Sequence, residues 1–242
     1  MVDPVCEHLP WDSEFFELRI GRVVSQRLSI DLVSDINRWA IENRMDCLYL
    51  LARSDHRQTI KLAEENGFSL VDVRITLQRS LAGVGAERCP SISLIRPYEP
   101  GDLLALRRIA RESHYDSRFY FDARFSAHRC DELFDRWIER SCEGWADRVF
   151  VGLQDGVVAG YVTCHHSGRA EGQIGLIAVA PQARGVGLGA KLVQAALQFL
   201  ARQNLSTATV ITQGRNLQSQ CLYQRSEFTT RLVELWYHKW FK

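Results

Sequence analysis

The residues of this chain best suited to chemistry sit in one stretch: Leu176-Ile177-Ala178-Val179-Ala180-Pro181-Gln182-Ala183-Arg184-Gly185-Val186-Gly187-Leu188-Gly189-Ala190. An apolar run, a glycine-rich turn and a helical pattern in that order build an anion site. Backbone N–H groups at a helix N-terminus point outward, and glycines let a phosphate approach them closely. Gly185-x-Gly187-x-x-Ala190 also fits the dinucleotide fingerprint, which requires an acidic residue about 20 positions later for the ribose hydroxyls. From Arg184 to Ser226 there is no Asp or Glu, whereas Arg184, Lys191, Arg202, Arg215 and Arg225 are present. Too little chain follows the turn to build a doubly wound sheet, and no Gly-Lys-Ser/Thr closes a Walker loop. What survives is a phosphate-bearing cofactor gripped by backbone amides; the bland alternative is a glycine turn used for close packing.

Elements must hold this turn in place, and the pattern supplies them. Phe15 to Val24 reads as a first strand. Ser29 or Ser34 can cap a helix to about Asn43, with Ile30, Val33, Ile36, Ala40 and Ile41 at helical spacing. A buried strand (46–52) and a helix (57–66) stopped by Gly67 follow. Val71, Val73, Ile75 and Leu77 then alternate with Asp72, Arg74 and Thr76, as a half-buried strand does. The glycines and low hydrophobicity of 82–90 mark a linker. Beyond it come a strand (92–95), helices (102–112 and 127–142) around an irregular segment (113–126), and strands at 149–153, 158–164 and 173–179 with a hairpin turn at Asp155-Gly156. A helix to about Gln203, a strand (207–212), a short helix (218–224) and a strand (231–240) complete the chain. Aligning Phe68 with Phe228 sets Leu62 opposite Leu222, Ile75 opposite Leu235 and Ala63 opposite Tyr223. This reads as two related halves, of which the second keeps the chemistry.

Arg184-Gly185-Val186-Gly187-Leu188-Gly189 resembles the Q/R-x-x-G-x-G/A motif of GNAT-family N-acetyltransferases, which binds the pyrophosphate of acetyl-CoA. The order of elements over 91–242 is similar to that fold as well. The resemblance implies an α/β (α+β) class with a mixed central sheet: a GNAT acyltransferase domain over 91–242, a linker over 82–90, and a smaller degenerate GNAT-like domain over 1–81. It implies that Ile177, Ala178 and Val179 pair with pantetheine, that Arg184, Gly185, Val186, Gly187, Leu188 and Gly189 hold the pyrophosphate, and that Asn216 and Tyr223 lie beside the thioester. Trp11-Asp12-Ser13-x-Phe15-Phe16 and Ser117-Arg118-Phe119-Tyr120-Phe121-Asp122 resemble a subfamily that acetylates TDP-linked amino-deoxy sugars such as TDP-fucosamine. The family usually has glycine at the position of Glu227, and a left-handed backbone there would cost about 1 kcal/mol.

Acyl transfer to an amine needs a neutral nucleophile, a stabilised oxyanion and a protonated leaving thiolate. A backbone N–H of Ile177, Ala178 or Val179 is the expected oxyanion donor. Tyr223, with a reference pKa near 10, is the expected general acid, against the alternative of a core aromatic. The general base stays open, because Gln173 and Gly175 stand where many relatives have a carboxylate; His165 and His166 are candidates, and a water chain is an alternative. Arg118 on phosphate and Phe119 or Tyr120 on a base would serve a nucleotide sugar, against packing of a surface loop. Cys164-His165 is no nucleophile pair, since neighbours on a strand face opposite ways.

Composition narrows the classes. The 242 residues are 46% hydrophobic, 24% charged and 10% aromatic, as in folded soluble proteins. Thirty basic against 29 acidic residues leave +1, which argues against a nucleic-acid binder. No apolar run approaches the roughly 18 residues that span a bilayer, and the N-terminus lacks the features of a secretory signal. Seven widely spaced cysteines without a C-x-x-C pair point to a reducing cytoplasm and to neither disulfides nor a metal. The leading expectation is an acetyl-CoA-dependent N-acetyltransferase of a nucleotide-linked amino sugar, with a homodimer admitted. Alternatives are acetylation of another small amine or of a protein N-terminus, and a non-catalytic acyl-CoA sensor.

Overall fold

The computed structural model describes residues 4–85 and 94–241. The first half runs β1 (Cys6–His8), α1 (Pro10–Phe16), β2 (Ile20–Val23), α2 (Ile30–Glu42), β3 (Cys47–Arg53), α3 (Arg57–Glu65) and β4 (Ser69–Ser80). The second runs β5 (Ile95–Pro97), α4 (Leu103–Arg111), α5 (Arg118–Phe121), α6 (Ala127–Arg140), β6 (Arg148–Gln154), β7 (Val157–His166), β8 (Glu171–Val179), α7 (Leu188–Arg202), β9 (Thr207–Gln213), α8 (Leu217–Arg225) and β10 (Thr229–Trp240). Residues 86–90 of the linker, and 92–93 of the strand expected after it, lie outside the described residues.

Local chemistry explains most boundaries. Ser29 is the residue that caps α2, its Oγ accepting the Leu32 N–H at 3.2 Å, and the helix buries Val33, Ile36 and Ala40. Gly67 follows α3 at φ +79°, and Asp155 and Gly156 both take positive φ in the β6–β7 turn. The expected first strand (15–24) is corrected. Pro10 opens a helix instead, Trp11 and Phe15 stack one turn apart at 5.1 Å, and the chain turns at Glu17 with φ +56° before β2 begins at Ile20. The irregular 113–126 segment contains the short α5, and α6 runs on through a π-turn, Ser141–Trp145.

Among the described residues ten strands form one mixed sheet in the order β1-β2-β3-β10-β4-β9-β8-β7-β6-β5. The last strand of each half sits in the other half's sheet. β10 pairs with β3 and β4 pairs with β9, and the two exchanged strands lie antiparallel to each other at the centre. The registers repeat: Leu235 faces Ala52 on β3 as Ile75 faces Thr212 on β9. At the centre of this approximate two-fold, Arg74 faces its own counterpart Glu234, and the two form an ion pair at 2.8 Å. Parallel pairs β2–β3 and β8–β9 complete the two copies. Gly21 and Gly172 occupy corresponding rungs, and a Cβ on either would approach leucine side chains to 2.8 Å or less. The β8–β9 ladder ends at Ile174↔Val210, and a cavity opens between Gly175–Ile177 and Ile211–Gln213.

Candidate active site

The glycine turn reaches α7 with Gly185 and Gly187 at φ +83° and +84°, the left-handed region that L side chains rarely adopt. Gly187 is the N-cap of α7 and offers no side-chain bond to its first amides. Those donors are available to an anion. A groove of about 530 Å³ runs past them, lined by Val179, Arg184, Gly185, Gly187, Leu188 and Gly189 on one side and by Leu217, Cys221, Leu222 and Arg225 of α8 on the other. Val186 is exposed and outside this lining. Arg184 is held by its Nε donating to the Val179 carbonyl at 3.1 Å.

From the groove a second cavity of about 210 Å³ follows β8 along Val179, Ala178 and Ile177. On its β9 side the β8 backbone has no ladder partner beyond Ile174. This cavity meets a third, of about 370 Å³, at residues that line both: His114, Ile177, Asn216 and Ser219. Asn216 caps α8, its Oδ1 accepting the Ser219 N–H at 2.9 Å. His114, at φ +64°, stacks on Phe134 and shares a 3.1 Å hydrogen bond through Nε2 with the hydroxyl of fully buried Tyr161.

The third cavity draws on both halves. Arg22, Leu51, Asp72 and Arg74 come from the first, and Ser117, Arg118, Phe119, Trp137, Tyr223 and Trp236 from the second. Tyr223 is 2% exposed, packs on Phe228, and burial pushes its hydroxyl pKa well up, so it keeps its proton. Its hydroxyl bonds to no described residue and is not sealed from solvent. Arg118 lays its guanidinium over Trp236 and Tyr49, 4.3 and 5.0 Å from their centroids, and its buried Nε has no partner among the described residues. Asp72 is 4% exposed; burial, opposed by Arg215, pushes its carboxyl up to about 6. Its Oδ1 accepts no hydrogen bond from the described residues, the Arg215 Nη2 standing at 3.9 Å, too far to donate. Such a carboxylate takes a proton readily near neutral pH.

Other sequence candidates lie elsewhere. Tyr120 donates its hydroxyl to Asp131 on α6 and lines none of these three cavities. Trp11 and Phe15 line a separate charged groove with Arg129 and Arg140, and Phe16 is in the core beside Phe119 and Phe125. Asp12 is absent from the linings, and burial raises its pKa. His166 pairs with Asp147 at 3.0 Å. His165 covers Gly175: a Cβ there would lie 2.5 Å from His165 Nε2, which leaves no room for a carboxylate side chain at that position. Glu227 does take the left-handed conformation, at φ +61°, and Arg79 bridges it at 2.6 Å while donating to the Ser226 carbonyl. Asp72 and Arg74 read in the sequence only as the polar side of a strand, and Arg22 and His114 carry no signal there. The polar side of the β4 alternation was the available signal, and it reads equally as a solvent face.

Among the described residues, no cluster of three His, Cys, Asp or Glu could hold a metal and no helix is long and apolar enough to cross a membrane. The profile of the acetyltransferase (GNAT) family matches residues 104–228, more than half of the chain. The chain is 26% identical over 239 residues to a dTDP-fucosamine acetyltransferase of Escherichia coli O6:H1, covering 96% of this chain and 97% of that one. It is 30% identical over 154 residues to the spore coat polysaccharide biosynthesis protein SpsD of Bacillus subtilis, covering 64% of this chain and only 53% of that protein's length. It is 28% identical over 214 residues to a mycothiol acetyltransferase of Stackebrandtia nassauensis, covering 86% and 68%. A solved GCN5-related N-acetyltransferase from Sphaerobacter thermophilus superposes with a TM-score of 0.71 at 16% identity over 97% of this chain and 76% of that one. The chain belongs to the acetyltransferase (GNAT) family.

Proposed function

We propose that the protein transfers the acetyl group of acetyl-CoA to the amino group of a nucleotide-linked amino-deoxy sugar, of the TDP-4-amino-4,6-dideoxygalactose type, by direct attack. The observation that carries this reading is the third cavity. Three arginines, Arg22, Arg74 and Arg118, line it together with one carboxylate, Asp72, and the ring of Trp236, Arg22 and Arg74 being also paired with Glu7 and Glu234. Diphosphate matches the guanidiniums, the aromatics offer faces to a base, and the amine can sit between Asp72 and Tyr223. The uncapped α7 N-terminus suits the pyrophosphate of acetyl-CoA, and the unpaired edge of β8 suits its pantetheine. The E. coli relative, a dTDP-fucosamine acetyltransferase, supports the same acceptor class. A cytoplasmic setting and a homodimer belong to this reading.

The steps follow from the groups present. The neutral amine nitrogen forms a C–N bond to the thioester carbon, the carbonyl π pair moving onto oxygen beside a backbone N–H of Ile177, Ala178 or Val179. Asp72 takes one proton from nitrogen. The oxygen pair then re-forms the carbonyl, the C–S bond breaks with its electrons on sulfur, and Tyr223 gives sulfur its proton. Solvent returns the proton from Asp72 to the tyrosine oxygen. General acid and base of this kind contribute about 10²–10⁴-fold each.

Thiol release from acetyl-CoA, measured against a panel of amines, tests the proposal. Fast release with TDP-4-amino-4,6-dideoxygalactose, and none with the free amino sugar, polyamines, aminoglycosides or peptides, is expected. Release only with the acceptor of a mycothiol acetyltransferase would move the protein toward those relatives. Binding of acetyl-CoA without transfer to any amine would make it a sensor, a reading opposed by Asp72 and Tyr223 lining one cavity.

A further inference from the structure

His114 is positioned where acyl donor and acceptor would meet, and its bonding leaves one donor unused. Tyr161 is fully buried, and His114 Nε2 is the only hydrogen-bond partner of its hydroxyl among the described residues. A buried hydroxyl proton without an acceptor costs about 1–3 kcal/mol. Nε2 is therefore the acceptor, and the imidazole proton sits on Nδ1. Burial and, secondarily, the Arg184 charge push the ring's pKa down to about 4, so it is neutral and carries that single N–H. Nδ1 bonds to no described residue and is not sealed from solvent, and the ring lines the two cavities at their junction. Phe134, stacked at 4.5 Å, fixes its plane.

We propose that the His114 Nδ1–H donates a hydrogen bond to the thioester oxygen of acetyl-CoA, adding a side-chain donor to the β8 backbone, and that Tyr161 locks the tautomer that makes this possible. The proposal rests on the acetyl-transfer reading above. At the junction Asn216 is held by its Oδ1 accepting the Ser219 N–H, and His114 offers a neutral, preorganised donor. The oxygen that gains charge as the C–N bond forms is the group such a donor stabilises most.

Substitutions separate this from a packing role. His114→Phe keeps the stacked ring but removes the donor. It is expected to lower kcat on the order of a hundredfold, with KM for acetyl-CoA within about threefold. His114→Asn tolerates the left-handed backbone and places an amide N–H near the Nδ1 position, and should recover most of the rate. Tyr161→Phe should cost about tenfold, because the tautomer is no longer held. Two measurements need no acceptor. Nitrogen-15 NMR of the protein should show a protonated Nδ1 and a bare Nε2 on His114, mixed in Tyr161→Phe. The carbonyl carbon-13 resonance of bound [1-¹³C]acetyl-CoA should move downfield in the wild type and His114→Asn, and much less in His114→Phe. An unchanged carbonyl shift in His114→Phe, or a proton on Nε2 in the wild type, overturns the proposal. If His114→Phe does not fold, the tautomer measurement on wild type and Tyr161→Phe decides. A downfield shift dependent on His114 with no amine acetylated would sustain the donor and sink the acceptor reading; failure of acetyl-CoA to bind sinks both.

Discussion

Helices α2 and α7 are the same element used twice, and their first turns differ where function requires it. Both end alike: Arg44 and Asn204 take left-handed backbone at φ +52° and +59° after the last turn. The spacing that relates those two also relates His56 to Asn216, which each cap the following helix by accepting the amide three residues on. It relates Gly67 to Glu227 and Ala63 to Tyr223 too. At their starts the helices part. α2 is closed by its own Ser29 hydroxyl, whereas α7 follows two left-handed glycines and leaves its amides open. A helix that caps itself gains stability, and one that withholds the cap offers an anion site. The first half meanwhile turns its exchanged strand to use, for Asp72 and Arg74 on β4 line the third cavity beside β9. It has no glycine turn of its own, yet it supplies the other half with walls and charge.

The largest expected effect falls on the Ala63–Tyr223 difference. Tyr223→Phe should lower turnover by about 10²-fold or more while acetyl-CoA binding, read by calorimetry, stays within threefold. Unchanged turnover would end the general-acid role.

Asp72 tests whether the first half contributes chemistry. With its carboxyl near 6, kcat/KM should rise with pH up to about 6 and level off above. Asp72→Asn should remove that limb and reduce the plateau by about tenfold to a thousandfold. Stability moves the opposite way. Folding raises this pKa above the unfolded value of about 3.9, so the protonated form is favoured and stability is lost as pH rises through 6. The asparagine variant should gain about 2–3 kcal/mol at pH 8 and nothing below pH 4, seen as a higher midpoint in urea at pH 8 alone.

The two helix starts predict opposite symptoms. Gly187→Ala strains the left-handed N-cap and should raise KM for acetyl-CoA about tenfold with kcat little changed. Ser29→Ala should cost about 1 kcal/mol in denaturant unfolding and leave KM where it was. A KM change in the second variant would break the comparison.

The smallest effects belong to the helix ends. Gly67→Ala should destabilise by about 1 kcal/mol, and Glu227→Gly should stabilise by somewhat less than that, since the exposed Arg79 ion pair is lost with it.

What could be read without a structure was local. Alternation, capping serines, positive-φ glycines and the glycine turn depend on neighbours within a few residues, so nearly every helix and strand from 29 onward fell where its pattern indicated. The misreading at 15–24 arose because Phe15 and Phe16 suit a strand as well as a helix, and Pro10 with the Trp11–Phe15 stack decided between them. The weak likeness of the halves was legible through Phe68 and Phe228, because repeated folds repeat their local signals.

Partnership between distant strands was not legible. An alternating strand states that one face is buried, but its hydrogen-bonding edges are the same for any partner, so nothing in 69–80 says that β4 lies beside β9 rather than β3. That exchange alone brings Asp72 and Arg74 to the site and turns a polar face, which in isolation reads as solvated, into a cavity wall. Likewise His165, adjacent to a candidate strand end, proved to fill the space over Gly175, while His114 in an irregular loop reached the junction of the cavities. The sequence by itself determined most of the elements, the glycine turn and the family, because those rest on short-range periodicity and backbone conformation. The composition of the third cavity, the proposed acceptor site, was decided only by the tertiary structure, because it depends on which edges pair across the chain and on what burial does to each charge.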